Sequence, residues 1–203
     1  MAERRFEDAY EIERLLVAWS HARDYGDWDA LAACFHDDAT VRMAWIAGPA
    51  RDYVAHARAG AKTRDPRTSS KHIITNPLIH IAGDRAFSIC HALLSARRIV
   101  EGVEIDLESW FRIFDLLERR DGRWAILKRT GIYEKDRISP VDPAGFPEGF
   151  WDGVDMSQFP PNKRFYNVLE VKSGKQPNTG YVQAYSAEET ALHEEGRRWV
   201  SSQ

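Results

Sequence analysis

The sequence predicts an α+β domain in which helices come first and an antiparallel meander follows. Three observations predict it. Ile12, Leu15, Leu16 and Trp19 recur at helical spacing near the start. From Ser69 onward the apolar pattern changes to that of strands, punctuated by the turn pairs Gly83-Asp84, Glu101-Gly102 and Asp121-Gly122. The 203 residues are 43% hydrophobic and 29% charged, an ordinary globular balance with enough chain for one sizeable core.

The first helix is expected over Phe6 to about Arg23, ended by Gly26. Asp27 caps a second short helix from Trp28 to Phe35. His36-Asp37-Asp38 reads as a turn, Thr40 to Ala47 as a strand, and Gly48-Pro49 as the opening of a third helix to about Ala59. Ser69 to Ile81 is a strand in which Pro77 marks a bulge or an edge. Arg85 to Val100 and Val103 to Arg119 form a long hairpin, and Arg123 to about Tyr133 closes the meander. Five of the nine prolines then fall between Pro140 and Pro161, among Phe146, Phe150, Trp151 and Phe159. This stretch is too apolar for a free linker and is expected to lie on the domain. Ser186-Ala187-Glu188-Glu189 is a capping-box pattern that starts a last helix to about Val200. The division that follows is a domain over 1–138 and a C-terminal extension over 139–203, packed on the domain or on a neighbouring subunit.

Composition excludes several partners. A net charge of -3 leaves no electrostatic footprint for nucleic acid or for an anionic membrane surface. No apolar run approaches the ~20 residues of a membrane span, and the first residues lack the apolar core of a signal peptide, so a cytoplasmic protein is expected. Two cysteines, Cys34 and Cys90, make neither a disulfide scaffold nor a closed zinc site. There is no phosphate-binding glycine loop and no nucleophile elbow, so no cofactor is expected.

Two residues stand out as chemistry. Asp24 falls in the last turn of the first helix, where the dipole disfavours a carboxylate by roughly 0.3–1 kcal/mol. It is either a solvated turn aspartate or an inward carboxylate sharing the azimuth of Val17 and Phe6. His72 opens the strand His72-Ile73-Ile74-Thr75-Asn76 and shares a face with Ile74 and Asn76. Alone it is a satisfied core histidine; beside an aspartate it becomes a general base with a fixed tautomer. His21, His36, His56 and His193 are expected in solvated helices or turns, and His80 and His91 in strands. The last core strand ends in Lys128, Arg129 and Tyr133-Glu134-Lys135-Asp136-Arg137, either a solvated strand end or a source of cations at a pocket mouth.

Arg23-Asp24-Tyr25-Gly26-Asp27-Trp28 with Phe35-His36-Asp37-Asp38-Ala39 resembles the nuclear transport factor 2-like superfamily. Lys71-His72-Ile73-Ile74-Thr75-Asn76 and Glu118-Arg119-Arg120-Asp121-Gly122-Arg123-Trp124 are similar to its polyketide cyclase, scytalone dehydratase and hexachlorocyclohexane dehydrochlorinase group. The resemblance covers roughly residues 6–137. It implies a cone-shaped curved antiparallel sheet packed against N-terminal helices, and a homo-oligomer, trimer before dimer. It also implies a cofactor-independent lyase in which His72 and Asp24 abstract a proton from a small aromatic or apolar substrate. The leaving group could be water, halide or formaldehyde, the last from lignin-derived diarylpropane diols. Arg129 falls on the dehydrochlorinase arginine that assists chloride departure, and Lys135 on a lysine implicated in formaldehyde release. Trp19 stands where the dehydrochlorinase has a lysine, and no second histidine occurs near Ser95-Ala96, where the dehydratase has one. With Tyr133, the residues Arg129, Lys135 and Trp19 are the expected substrate contacts. The alternative is a non-catalytic ligand-binding protein or a scaffold like a dioxygenase small subunit, which shares the fold.

Overall fold

The structure is a computed structural model that describes residues 2–63 and 65–201, residues 2–5 by their backbone alone. Helix α1 spans Ala2–Tyr25, α2 Trp28–Ala33 and α3 Ala50–Lys62, with strands β1 (Phe35–Met43) and β2 (Ile46–Pro49) between the last two. Four long strands follow: β3 Ser69–Ala82, β4 Arg85–Val100, β5 Val103–Arg120 and β6 Arg123–Pro140. The extension adds α4 (Arg164–Lys172), β7 (Val182–Gln183) and α5 (Ala187–Ser201).

Local chemistry explains the boundaries. Gly26 ends α1 at φ +75°, and the Asp27 carboxylate accepts a hydrogen bond from Ala30 N at 3.0 Å to start α2. Glu101-Gly102 and Asp121-Gly122 each hold two successive positive φ values, the geometry that joins twisted antiparallel strands through a two-residue turn. Asn76 at φ 52° and a register shift between Thr75 and Leu78 place a bulge beside Pro77. His36-Asp37-Asp38 is not a turn, because β1 already begins at Phe35.

The sheet runs β2-β1-β6-β5-β4-β3, with β7 beside β6. The meander β3 to β6 is antiparallel, as expected, whereas β1 and β7 each join β6 in parallel. The end strands β2 and β3 do not pair, so the curved sheet stays open. Side-chain alternation along the strands separates two apolar layers. On the inner face Ile12, Trp19, Leu31 and Phe35 pack with Ile113, Trp124 and Ile126. On the outer face Phe87, Phe114 and Leu116 are covered by Leu192 of α5. Fully burying one such side chain stabilises by about 1.5–3 kcal/mol, so both layers contribute to holding the helices on the sheet.

The extension is bound to the sheet. Lys128 pairs with Glu195 at 2.7 Å, Arg42 with Glu188 at 2.6 Å, and Arg112 with Glu189. The aromatic loop packs Phe146, Phe150 and Trp151 against Val100, Ile105 and Leu107 at the tip of the β4–β5 hairpin. Helix α4, which the proline-rich texture hides, adds Tyr166 and Leu169 to that cluster.

Candidate functional site

Strand β3 crosses the end of α1, and this crossing joins Asp24 to His72. His72 N donates to Asp24 Oδ2 at 2.8 Å, and the ring Nδ1 lies 2.6 Å from Asp24 Oδ1. A carboxylate can only accept, so Nδ1 carries a proton, and in the neutral imidazole the lone pair is therefore on Nε2. Hydrogen bonds to a charged group contribute about 1.5–3 kcal/mol each, which outweighs the helix-dipole cost of a carboxylate here. Burial pushes the Asp24 carboxyl up, but the bonds and charge of His72 prevail and hold it below the usual range. The expected azimuth was misplaced: Val17 and Phe6 are exposed, and Asp24 is covered because β3 lies across it.

Behind the imidazole stands a buried stack. The Trp19 ring meets His72 edge-on, with centroids 5.5 Å apart at 72°. Arg129 lies over the Trp19 ring, 4.2 Å from its centroid. The guanidinium is gripped by Asp115, Nε to Oδ1 at 2.8 Å and Nη2 to Oδ2 at 2.7 Å, with both side chains fully buried. Trp19 and Arg129 therefore support the imidazole from beneath and do not line the cavity that His72 faces.

That cavity measures about 690 Å³, within the range of small-molecule sites. His72, Arg23 and Trp45 line it, together with Phe111, Tyr133 and Lys163. Tyr133 is thus placed as expected; its hydroxyl accepts a hydrogen bond from Ala44 N at 3.0 Å. Lys135 is not. Plain alternation from Arg129 through Gly131 and Tyr133 would turn it inward. A bulge at Glu134 shifts the register, Phe111 opposing Tyr133 and Trp110 opposing Lys135. Lys135 then lies exposed against the Trp110 ring, 4.8 Å from its centroid, and Asp136 turns inward instead.

Five Arg and Lys side chains line the cavity. Arg97, Arg98 and Lys175 are paired with Asp106 or Glu170, whereas no carboxylate is seen paired with Arg23 or Lys163 among the described residues. Arg23 Nη1 is buried without a hydrogen-bond partner among the described residues, and its charge acts on the nearby Tyr53 hydroxyl. In the sequence Arg23 looks like an ordinary basic residue in a last helical turn. Lys163 sits in a segment with no periodic signal. His56 is exposed on α3, as expected, and also lines the cavity beside Trp45, with ring centroids 5.8 Å apart.

The chain is similar to pea pathogenicity protein 2 of Fusarium vanettenii, 29% identical over 166 residues, covering 78% of this chain and 69% of that protein. It spans about two thirds of the length of the curated relatives it matches. Among solved structures, hexachlorocyclohexane dehydrochlorinase (LinA) Type2 superposes with a TM-score of 0.58 at 18% identity, covering 76% of this chain and 100% of that one. A scytalone dehydratase-like protein of Novosphingobium aromaticivorans gives 0.55 at 21% identity, covering 68% and 91%. At these identities the structural likeness is one of fold. The profile of the SnoaL-like domain matches residues 4–130, more than half of the sequence, and the chain belongs to that family.

Proposed function

We propose that the protein is a cofactor-independent lyase in which His72 Nε2 takes a proton from a small aromatic or apolar substrate while a group departs from the neighbouring carbon. The observation that carries this reading is the 2.6 Å contact between His72 Nδ1 and Asp24, with the imidazole lining the cavity. Asp24 fixes the tautomer and stabilises the imidazolium that forms. In simple elimination the C–H electron pair becomes the new π bond and the leaving group departs with its own bonding pair. In aldehyde release the proton comes from a hydroxyl and its O–H pair becomes the C=O bond. The cleaved C–C pair then becomes the new C=C bond, and hydroxide leaves from the next carbon as water. Arg23, with an unpartnered Nη1, is the cation best placed to receive that charge. This replaces Arg129 and Lys135 in the role, the first because Asp115 occupies it and the second because it faces outward.

The open cavity favours an enzyme over a scaffold subunit, which has no use for a void bordered by a base. The SnoaL-like fold and its dehydratase and dehydrochlorinase neighbours support the reaction class. We further place the protein in the cytoplasm, with its two buried free cysteines in a reducing compartment, as a homotrimer that covers the exposed Ile73 and Leu78 of edge strand β3. The test is a screen of aromatic alcohols, diols and halides for elimination or aldehyde release. His72→Ala is expected to lower kcat by ~10²–10⁴-fold with little change in substrate affinity. Near-normal turnover of a confirmed substrate by both His72→Ala and Asp24→Asn would reduce the pair to a buried hydrogen bond.

A further inference from the structure

The same cavity holds a second reactive group. Lys163 ends the 3-10 turn Pro161–Lys163, which is fixed to β6 where Asn162 Nδ2 donates to Tyr133 O at 3.1 Å. The Lys163 side chain is almost completely buried, at 2% exposure, yet it lines the cavity. Its amine nitrogen lies 3.2 Å from the Tyr166 ring centroid and 4.6 Å from that of Tyr133. No carboxylate forms an ion pair with it among the described residues, although Asp136, Glu170 and Arg98 all act on it at longer range. An ammonium so enclosed is costly, and a lysine relieves that cost by losing its proton. Burial accordingly brings the Lys163 pKa down to about 7.

Two further polar groups accompany the amine. Ser109 Oγ lines the cavity, is buried, and has no hydrogen-bond partner among the described residues. Its cross-strand neighbour is Asp136, brought inward by the Glu134 bulge. Asp136 Oδ2 accepts from Tyr166 N at 2.7 Å, while Oδ1 is left without a partner among the described residues. Burial pushes the Asp136 carboxyl up, toward the protonated form that can give a proton. A buried amine, an unpartnered hydroxyl and an unpartnered carboxyl oxygen thus gather where Phe111, Tyr133 and Tyr166 offer aromatic surface.

We propose that Lys163 is a carbonyl-capturing amine, a second site within the cavity that takes an aldehyde or ketone, preferably an aromatic one, as an imine. The neutral amine lone pair forms the C–N bond, the carbonyl π pair moves to oxygen, and a proton passes from nitrogen to that oxygen. The carbinolamine then loses water to leave C=N, so that amine and carbonyl give imine and water with no oxidant or reductant. Ser109 Oγ, which lines the same cavity, is the hydroxyl available to donate to the developing alkoxide, and Asp136, whose charge acts on Lys163, is the carboxyl available to carry the proton. This site stands apart from the His72–Asp24 reading, since imine formation needs no turnover of the lyase substrate.

The test is reductive trapping on the folded 203-residue chain. Benzaldehyde and sodium cyanoborohydride are added at pH 6, 7 and 8, and benzylated lysines are mapped by peptide mass spectrometry. At pH 7 the neutral fraction of Lys163 exceeds that of an ordinary lysine roughly 10³-fold. Its labelling should exceed that of exposed Lys135 or Lys175 by at least about tenfold after allowing for its lower intrinsic nucleophilicity. Lys163→Met should remove the preferred adduct and leave the others unchanged. Labelling confined to exposed lysines, with Lys163 spared in the folded wild-type chain, would overturn the proposal without touching the His72 reading. Preferred Lys163 labelling together with an inert His72 would do the reverse.

Discussion

Replacing Asp115 by alanine is the sharpest test of how the site is supported. Arg129 is 1% exposed and Asp115 0%, and the two share a pair of bonds at 2.7 and 2.8 Å. Burial opposes charge on Arg129, but the adjacent carboxylate holds its pKa above the usual value. Asp115→Ala keeps the guanidinium and removes its counter-charge in a site with no route to water. Breaking a buried pair from one side costs about 3–5 kcal/mol. For a chain of this size each kcal/mol shifts the melting temperature by about 2–4 °C, so the transition should fall by roughly 6–20 °C. Urea denaturation followed by far-UV circular dichroism measures the first quantity and calorimetry the second. The double variant Asp115→Leu/Arg129→Met removes both charges and should recover most of the loss, because hydrophobic replacement of a buried pair is often neutral or stabilising. Trp19 rests on the guanidinium at 4.2 Å, so its near-UV signal should change in the single variant and in proportion to unfolding. A loss below about 1 kcal/mol for Asp115→Ala, the worth of an exposed pair, would refute the claim that Arg129 is a buried support.

Three other outcomes follow from the packing and the charges. Gly196→Ala should destabilise by about 1–2 kcal/mol in urea titration despite a better helix propensity, because its new Cβ would meet Phe87 at 2.8 Å and Phe114 at 3.1 Å. Gly60→Ala, with open space around it, should instead stabilise by about 0.4–1 kcal/mol; the same sign at both positions would remove the argument. Lys163 binds fewer protons folded than unfolded, so its penalty is full below about pH 7 and is relieved as pH rises toward the ordinary lysine value; wild-type stability should gain a rising component from pH 7 to 10 that Lys163→Met lacks. Asp24 has a depressed folded pKa, so its contribution is present above the unfolded value of about 3.9 and is lost as pH falls through the folded one. Asp24→Asn should flatten that part of the acid limb, and an unchanged acid profile would place the His72 contact outside the stability of the fold.

The meander and its turns were legible because they are written in short-range chemistry. The turn pairs Glu101-Gly102 and Asp121-Gly122 and the apolar repeat of α1 act over a few residues, and β4 and β5 appear within a residue of their expected bounds, whereas β6 continues past its expected end near Tyr133 to Pro140. The candidate pair Asp24 and His72 was legible through a familiar residue pattern, although their meeting was not, being 48 positions apart. What surrounds the pair was decided by tertiary structure. Strict alternation turns Lys135 inward and Asp136 outward; one extra residue at Glu134 reverses both, and nothing in the local sequence announces it. Arg129 carries the same charge in either setting, and only the opposing Asp115 in β5 makes it a support beneath Trp19. Lys163 stands in a proline-rich stretch with no helical or strand period, so its burial against Tyr133 and Tyr166 follows from where the extension docks. Periodicity and turn chemistry are properties of neighbours along the chain and can be read there. Burial, register and the pairing of distant charges are properties of neighbours in space, and they determine which of several similar lysines and arginines faces the cavity.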